Sequence, residues 1–224
     1  MPIFKKVNKN FFKKWSPNMA YVLGFFAADG YMTLNKRGAH FWNIQINDGE
    51  LLKEIRKSIQ SEHKISVRVK TRKEEKTSYR LQIGSREMYN DLYNLGMRQN
   101  KTRSLTVPKV SNRYFCHFVR GYFDGDGNVW MGGINKERKT LHLTIQTIFT
   151  SCSKKFLQKI KDNLERNNIQ KGILRQGKGN FYRLTYSVCN SLKLYDFMYN
   201  NIGTSKLFLK RKKDVFERYI KMRL

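Results

Sequence analysis

The sequence predicts an α+β fold built from two pseudo-symmetric α-β-β-α-β-β-α repeats, each with an antiparallel sheet. Three observations carry that prediction. Tyr21-Val22-Leu23-Gly24-Phe25-Phe26-Ala27-Ala28-Asp29-Gly30 returns as Phe118-Val119-Arg120-Gly121-Tyr122-Phe123-Asp124-Gly125-Asp126-Gly127, an apolar run with small residues at fixed spacing, closed by aspartate and glycine. The same order of strand-like and helix-like segments follows each copy. Single residues echo as well: Tyr79-Arg80-Leu81 matches Tyr182-Arg183-Leu184, and Tyr89, Tyr93 and Asn94 match Tyr195, Tyr199 and Asn200. At 224 residues, 40% hydrophobic and 13% aromatic, the chain can bury a core as one large or two small domains, and the repeat places two at residues 1–107 and 108–224.

The first helix opens at Ser16-Pro17, where serine caps a free amide and proline takes a position that has no helical bond to lose. After Asp29-Gly30, residues 31–35 and 41–46 alternate apolar and polar side chains as half-buried strands. Asn47-Asp48-Gly49-Glu50 offers a helix start, and Leu51, Leu52, Ile55 and Ile59 give that helix one apolar face. Residues 65–73 and 77–83 read as two more strands. A helix over 86–95 stops at Gly96, a natural C-terminal breaker. Residues 106–112, with Pro108, break the pattern and form the linker. The second copy then gives strands near 128–131 and 141–149 and a helix through Phe156, Leu157, Ile160 and Leu164. Strands near 173–175 and 181–187 follow, then a helix over 192–199 ending before Gly203.

Charge narrows the partner. The 45 Lys and Arg against 17 Asp and Glu leave a net +28, far beyond what solubility needs, and such self-repulsion opposes compaction unless a polyanion neutralises it. Nucleic acid fits best. No apolar run reaches the ~20 residues of a membrane-spanning helix, and the basic residues are spread along the chain. Cys116, Cys152 and Cys189 are odd in number and widely separated, which suggests neither a disulfide framework nor a zinc site and fits a reducing, intracellular setting, either bacterial cytoplasm or an organelle matrix. His40, His63, His117 and His142 lack metal-ligand spacing. Residues 1–14, basic and aromatic without a secretory core, read as an arm that contacts DNA.

Gly24 and Ala28 share one helix face, as do Gly121 and Gly125. Small residues at this spacing let two helix backbones approach closely, and glycine inside a helix costs up to ~1 kcal/mol relative to alanine. A contact between the first helices of the two repeats offsets that cost and sets Asp29 beside Asp126. An aspartate at a helix C-terminus is disfavoured by roughly 0.3 to 1 kcal/mol before its neighbour is counted. A divalent cation relieves both penalties, and hard oxygen ligands of this kind suit Mg²⁺ completed by water and phosphate, with Mn²⁺ or Ca²⁺ able to occupy the same site. Taken singly, each Asp-Gly also reads as the start of a hairpin turn.

These residues resemble the LAGLIDADG homing endonucleases in their single-chain, two-motif form. Residues 119–127 fit the motif closely and residues 22–30 more loosely, because Ala27 stands where the second motif has Asp124; that acid is not the metal-binding one in the family. The resemblance implies a saddle of two DNA-binding sheets. It also implies Mg²⁺-dependent double-strand cleavage of a long DNA site by a monomer, leaving short 3′ overhangs. It makes Asp29 and Asp126 the catalytic metal ligands, with main-chain carbonyls of Ala28 and Gly125 completing the coordination. A basic residue near the end of each repeat assists, for which Lys101 and Lys206 are the candidates among many lysines. An intron-RNA maturase on the same scaffold, or a non-catalytic DNA-binding regulator, are the other readings.

Specificity then belongs to the strands. With Met32, Leu34, Trp42, Ile44 and Ile46 facing the helices, Thr33, Asn35, Asn43 and Gln45 turn outward. Arg37 lies in the loop between them. Arg68, Lys70 and Arg72 share a face of the third strand, and Ser78, Arg80 and Gln82 a face of the fourth. The second repeat contributes Trp130, His142, Thr144, Gln146, Arg175 and Arg183 by the same logic. Arginine suits guanine edges, Asn and Gln suit adenine, and the remaining lysines suit phosphates.

Overall fold

The protein is described by a computed structural model covering residues 5–69, 77–134, 142–200, 202, 205 and 207–223. The first repeat runs α1 (Pro17–Asp29), β1 (Gly30–Leu34), β2 (His40–Ile46), α2 (Gly49–Ser58), β3 (Ile65–Arg68), β4 (Ser78–Gly84) and α3 (Arg86–Asn94). The second runs α4 (Asn112–Asp126), β5 (Gly127–Ile134), β6 (His142–Ser151), α5 (Lys154–Arg166), β7 (Ile173–Gln176), β8 (Tyr182–Tyr186) and α6 (Val188–Tyr199). Each repeat forms one antiparallel sheet, in the orders β1-β2-β4-β3 and β5-β6-β8-β7. Both repeats share the predicted element order. One further helix, α7 (Lys210–Lys221), follows the second repeat; its Lys-Arg-Lys-Lys opening hides an apolar stripe, yet Lys212, Phe216 and Tyr219 are all buried.

The local reasons are visible at the ends of elements. Ser16 Oγ accepts from Met19 N at 3.1 Å, with Pro17 at the first helical position of α1. Asp48 caps α2 by accepting from Leu51 N at 2.9 Å, and Ser153 caps α5 at Phe156 N. From Met19 to Ala27 helix α1 is buried all round, as befits a helix apolar on every side. It packs against α4 and against its own sheet, where Met32, Trp42, Ile44 and Ile46 point inward.

Four sequence expectations change. Leu34 does not face the helices but is 51% exposed, because it pairs with His40 at the hairpin end, past the helix layer. Strand β3 ends at Arg68, and Lys70 and Arg72 lie outside the described residues. The arm expected over residues 1–14 is packed onto the first repeat over residues 5–14: Phe11 and Phe12 are buried, Phe12 meets the Trp42 ring edge-on at 5.5 Å, and Lys6 and Glu62 exchange hydrogen bonds. The apolar half of that segment outweighs its charge, leaving the lysines on the surface. Asn112, expected to end the linker, is already the first residue of α4. No described helix is long and apolar enough to cross a membrane, and the three cysteines are free.

Candidate active site and nucleic-acid interface

Helices α1 and α4 touch through their backbones. A Cβ on Gly24 would fall on the Phe118 carbonyl oxygen, and one on Gly121 would fall on the Tyr21 carbonyl oxygen and 2.8 Å from Phe25 N. Farther along the same face, a Cβ on Gly125 would overlap Ala28 Cβ and lie 3.1 Å from Asp29 Oδ2. Missing side chains at these positions therefore bring the C-terminal ends of α1 and α4 together and seat the Asp29 carboxylate against α4.

Both terminal acids resist ionisation. Burial, and then the charge of Asp126, push Asp29 up to about 6, with Lys212 and Lys101 acting in the opposite direction. Asp126 is raised too, mainly by loss of water around its carboxylate, although the residue remains reachable from solvent. Two clefts flank the pair. One is lined by Phe25, Asp29, Gln45, Asp48, Gly125 and Arg211, the other by Ala28, Lys101, Thr102, Asp126, Ser151 and Cys152. Each combines the acid and strand end of one repeat with the helix of the other.

Two buried lysines complete this symmetry. Lys101 Nζ donates to the Gly30 carbonyl and lies 5.4 Å from the centre of the Phe26 ring. Lys212 Nζ donates to Gly127 O at 2.6 Å and lies 5.1 Å from the centre of the Phe123 ring. Gly30 and Gly127 are the C-caps of α1 and α4, so the two ammonium groups occupy matching places. Lys212 also reaches Phe123 O at 2.6 Å, Asp124 O at 2.8 Å and Gly125 O at 3.4 Å. Burial lowers both lysines to about 8, while the nearby aspartates hold them up. Lys206 lies outside the described residues; Lys212 makes in the second repeat the contact that Lys101 makes in the first. Its signal in the sequence was a lysine on the stripe completed by Phe216 and Tyr219, where an apolar residue belongs.

Asp124, the extra acid of the second motif, borders the same cleft as Asp29, but its carboxylate is held by other partners. It is buried, and its Oδ2 accepts from Tyr21 OH at 2.7 Å and from Leu209 N at 2.8 Å. Burial raises it to about 6. Next to it the fully buried Arg120 donates to Leu207 O at 3.0 Å and Met198 O at 2.8 Å, and pairs with His117 Nδ1 at 3.0 Å. Burial, and then the charge of Arg120, push His117 down to about 4.

The register places Thr33, Asn43, Gln45, Arg68, Ser78, Arg80 and Gln82 on the outer face of the first sheet. Gln45 Nε2 donates to Ser78 Oγ at 3.3 Å across it. Two residues differ from expectation. Asn35 is committed to the hairpin turn, its Oδ1 accepting from Arg37 N and Ala39 N, which leaves Arg37 as the exposed polar side chain there. Asn43 lies on the outer side but is fully buried, with Oδ1 lacking a protein partner. Tyr31, 37% exposed and paired with Asn43, was not among the sequence candidates; an aromatic in an alternating strand reads first as core. On the second sheet Trp130, Thr144, Gln146, Arg175 and Arg183 share the outer face. His142 pairs with Ile134 through its backbone, and its side chain is outside the described set. Arg175 stands directly opposite Arg183. Like charges so placed repel each other, so this face gains from an anion laid across it.

A sequence profile described as the LAGLIDADG-like domain matches residues 16–95 and again 116–200. An uncharacterized protein of Methanocaldococcus jannaschii is 25% identical over 181 residues, which cover 76% of this chain and 61% of that relative. The chain thus spans about three fifths of its relative's length. Among solved structures, the LAGLIDADG meganuclease I-AabMI bound to uncleaved DNA shares the fold at a TM-score of 0.61 and 14% identity, over 93% of this chain and 90% of that one. The I-SmaMI homing endonuclease bound to cleaved DNA gives 0.58 and 14%, over 93% and 89%. Mesophilic variants of the homing endonuclease I-DmoI give 0.55 and 15%, over 88% and 99%. These likenesses are likenesses of fold, and the profile covers most of the sequence. The chain belongs to the LAGLIDADG-like domain family and carries one copy of the domain in each half.

Proposed function

We propose that this chain is a site-specific DNA endonuclease that hydrolyses both strands of a long target as a monomer, with a divalent metal, leaving short 3′ overhangs. The observation that carries the reading is the seating of Asp29 against α4, where a Cβ on Gly125 would lie 3.1 Å from its Oδ2, beside two sheets whose outer faces carry arginine and other polar side chains. Solved relatives of this fold are described as homing endonucleases bound to DNA. The net charge of +28 suits a polyanion.

The donor set fits a hard cation. Among the described residues no three His, Cys, Asp or Glu side chains gather, so the carboxylates of Asp29 and Asp126 and the carbonyls of Ala28 and Gly125 would hold it with water and phosphate oxygens, as suits Mg²⁺. The raised acids agree, since a bound cation removes the repulsion that resists their ionisation. When bound, the metal supplies Lewis-acid polarisation of the phosphate and a more acidic water. Lys101 and Lys212 place an ammonium beside each acid, where it neutralises charge that develops on the phosphate oxygens. The helix crossing fixes the spacing of the two acids, and the sheets hold the duplex in register above them.

Purified protein incubated with a randomised duplex library and Mg²⁺ tests this. Metal-dependent double-strand cuts at one long site are expected, with Asp126→Asn retaining DNA binding and losing those cuts. Binding without any cleavage, or tight binding confined to structured RNA, would overturn the reading.

A further inference from the structure

Resting on the nuclease reading above, we propose that the second repeat reads its half of the DNA target largely through thymine methyl groups, and far more so than the first repeat does. The pairing of strands defines which positions correspond. In the first sheet Gly30 pairs with Ile44, and Ile44 with Leu81; in the second Gly127 pairs with Phe149, and Phe149 with Leu184. Aligning these rows makes Asn43 equivalent to Ile148, Gln45 to Thr150 and Gln82 to Thr185. Two reachable carboxamides of the first sheet, Gln45 and Gln82, are thus replaced by Thr150 and Thr185, and Ile148 stands where the first sheet has the fully buried Asn43.

The apolar character extends beyond these three. Ile173 pairs with Thr185 and is 51% exposed, carrying the row to the sheet edge. Trp130 is 43% exposed on the adjacent row and lies over Gly132, where a Cβ would come within 2.9 Å of its Cη2. Two carboxamides remain on this face, Gln146 in the central strand and the exposed Asn128 opposite Ile148. In the major groove the C5-methyl of thymine is the one apolar group a base pair presents, whereas adenine offers the acceptor and donor that an amide matches. Branched aliphatic side chains in a water-facing row of a sheet this basic gain nothing from solvent and match that methyl. Their high strand propensity is the competing account, and it makes no demand on base identity.

The test begins with duplexes selected from a randomised library for binding in EDTA. Thymidines are then replaced by deoxyuridine in one half-site at a time, and Ile148→Ala and Thr185→Ser are compared with the parent. Loss of each methyl is expected to weaken binding about fourfold in one half-site only, and both variants should shrink that penalty. Gln82→Ala should relax preference in the other half-site. Equal deoxyuridine penalties in both halves, a penalty unchanged by Ile148→Ala and Thr185→Ser, or a selected half-site without thymine would overturn the methyl reading while leaving the nuclease reading intact. Failure to select any duplex would overturn the nuclease reading itself.

Discussion

Replacing Gly121 by alanine sets two effects of opposite sign against each other. Helix propensity favours alanine by about 1 kcal/mol in a helix interior. Against that, the new Cβ would fall on the Tyr21 carbonyl oxygen and lie 2.8 Å from Phe25 N. Both are backbone atoms of α1 and cannot rotate aside, so α1 and α4 must separate. Overpacking of a rigid contact costs about 1–3 kcal/mol, and here the upper part of that range applies because the Gly24 contact on the other side of the crossing is equally tight. The net is a destabilisation of about 2 kcal/mol. For a chain of this size it lowers Tm by roughly 4–8 °C in a thermal melt. Separation also shifts Asp29 relative to Asp126, and a displacement on the order of 1 Å at reacting groups costs about 10²-fold in rate. A Gly121→Ala protein with raised Tm and full cleavage would refute the close-crossing argument, since propensity alone would then have decided the outcome.

Three further outcomes follow from the same geometry. The folded pKa values of Asp29 and Asp124 lie near 6, above the ordinary carboxylate value of 3.8, so the folded state holds more protons between those values. Metal-free protein should therefore lose part of its stability as pH rises from 4 to 6; Mg²⁺ should restore it at pH 7, and Asp29→Asn should flatten the slope in denaturant melts. Lys212→Met should lower the cleavage rate by about 10²-fold with DNA affinity nearly unchanged, read by single-turnover cleavage beside a binding isotherm. Arg175→Gln should stabilise the free protein by about 0.2–1 kcal/mol by removing its repulsion with Arg183, and should reduce the salt dependence of DNA binding; a destabilised variant would show that the pair is not repulsive.

Much of this architecture is legible in the chain because it is written twice. The alternation in residues 41–46 is strict, and Trp42, Ile44 and Ile46 are buried as the period demands. The small residues at 24, 28, 121 and 125 announce a close helix contact, since nothing else offsets glycine inside a helix. What escaped the sequence has physical causes. Helix α7 begins with four consecutive basic residues, which reads as a solvated run until the burial of Lys212 reveals its stripe. Asn35 looks like a base reader by parity, but a side chain that can close a turn on its own backbone does so first. Asn43 has the right parity, and its burial depends on neighbours that one strand's pattern cannot show.

The unequal acids of the two motifs also have a structural account. The offset that carries Asp29 to Asp126 carries Ala27 to Asp124 and Tyr21 to Phe118, so the polar pair Tyr21–Asp124 occurs in only one of two equivalent places. The difference lies in how each repeat delivers its lysine. Lys101 arrives in a turn after α3, whereas Lys212 arrives in the first turn of α7, whose N-terminal amides need acceptors. Leu209 sits at the N-cap and cannot cap with its side chain, and the first turn carries no acid. Asp124 supplies both missing elements from another helix: it accepts from Leu209 N at 2.8 Å, and its charge complements the positive end of α7. Arg120 fixes the preceding carbonyl of Leu207 at 3.0 Å. The position of Lys212 at the candidate active site is thereby set by the residue that distinguishes the second motif, and Ala27 suffices in the first because, among the described residues, no helix N-terminus calls for a carboxylate there.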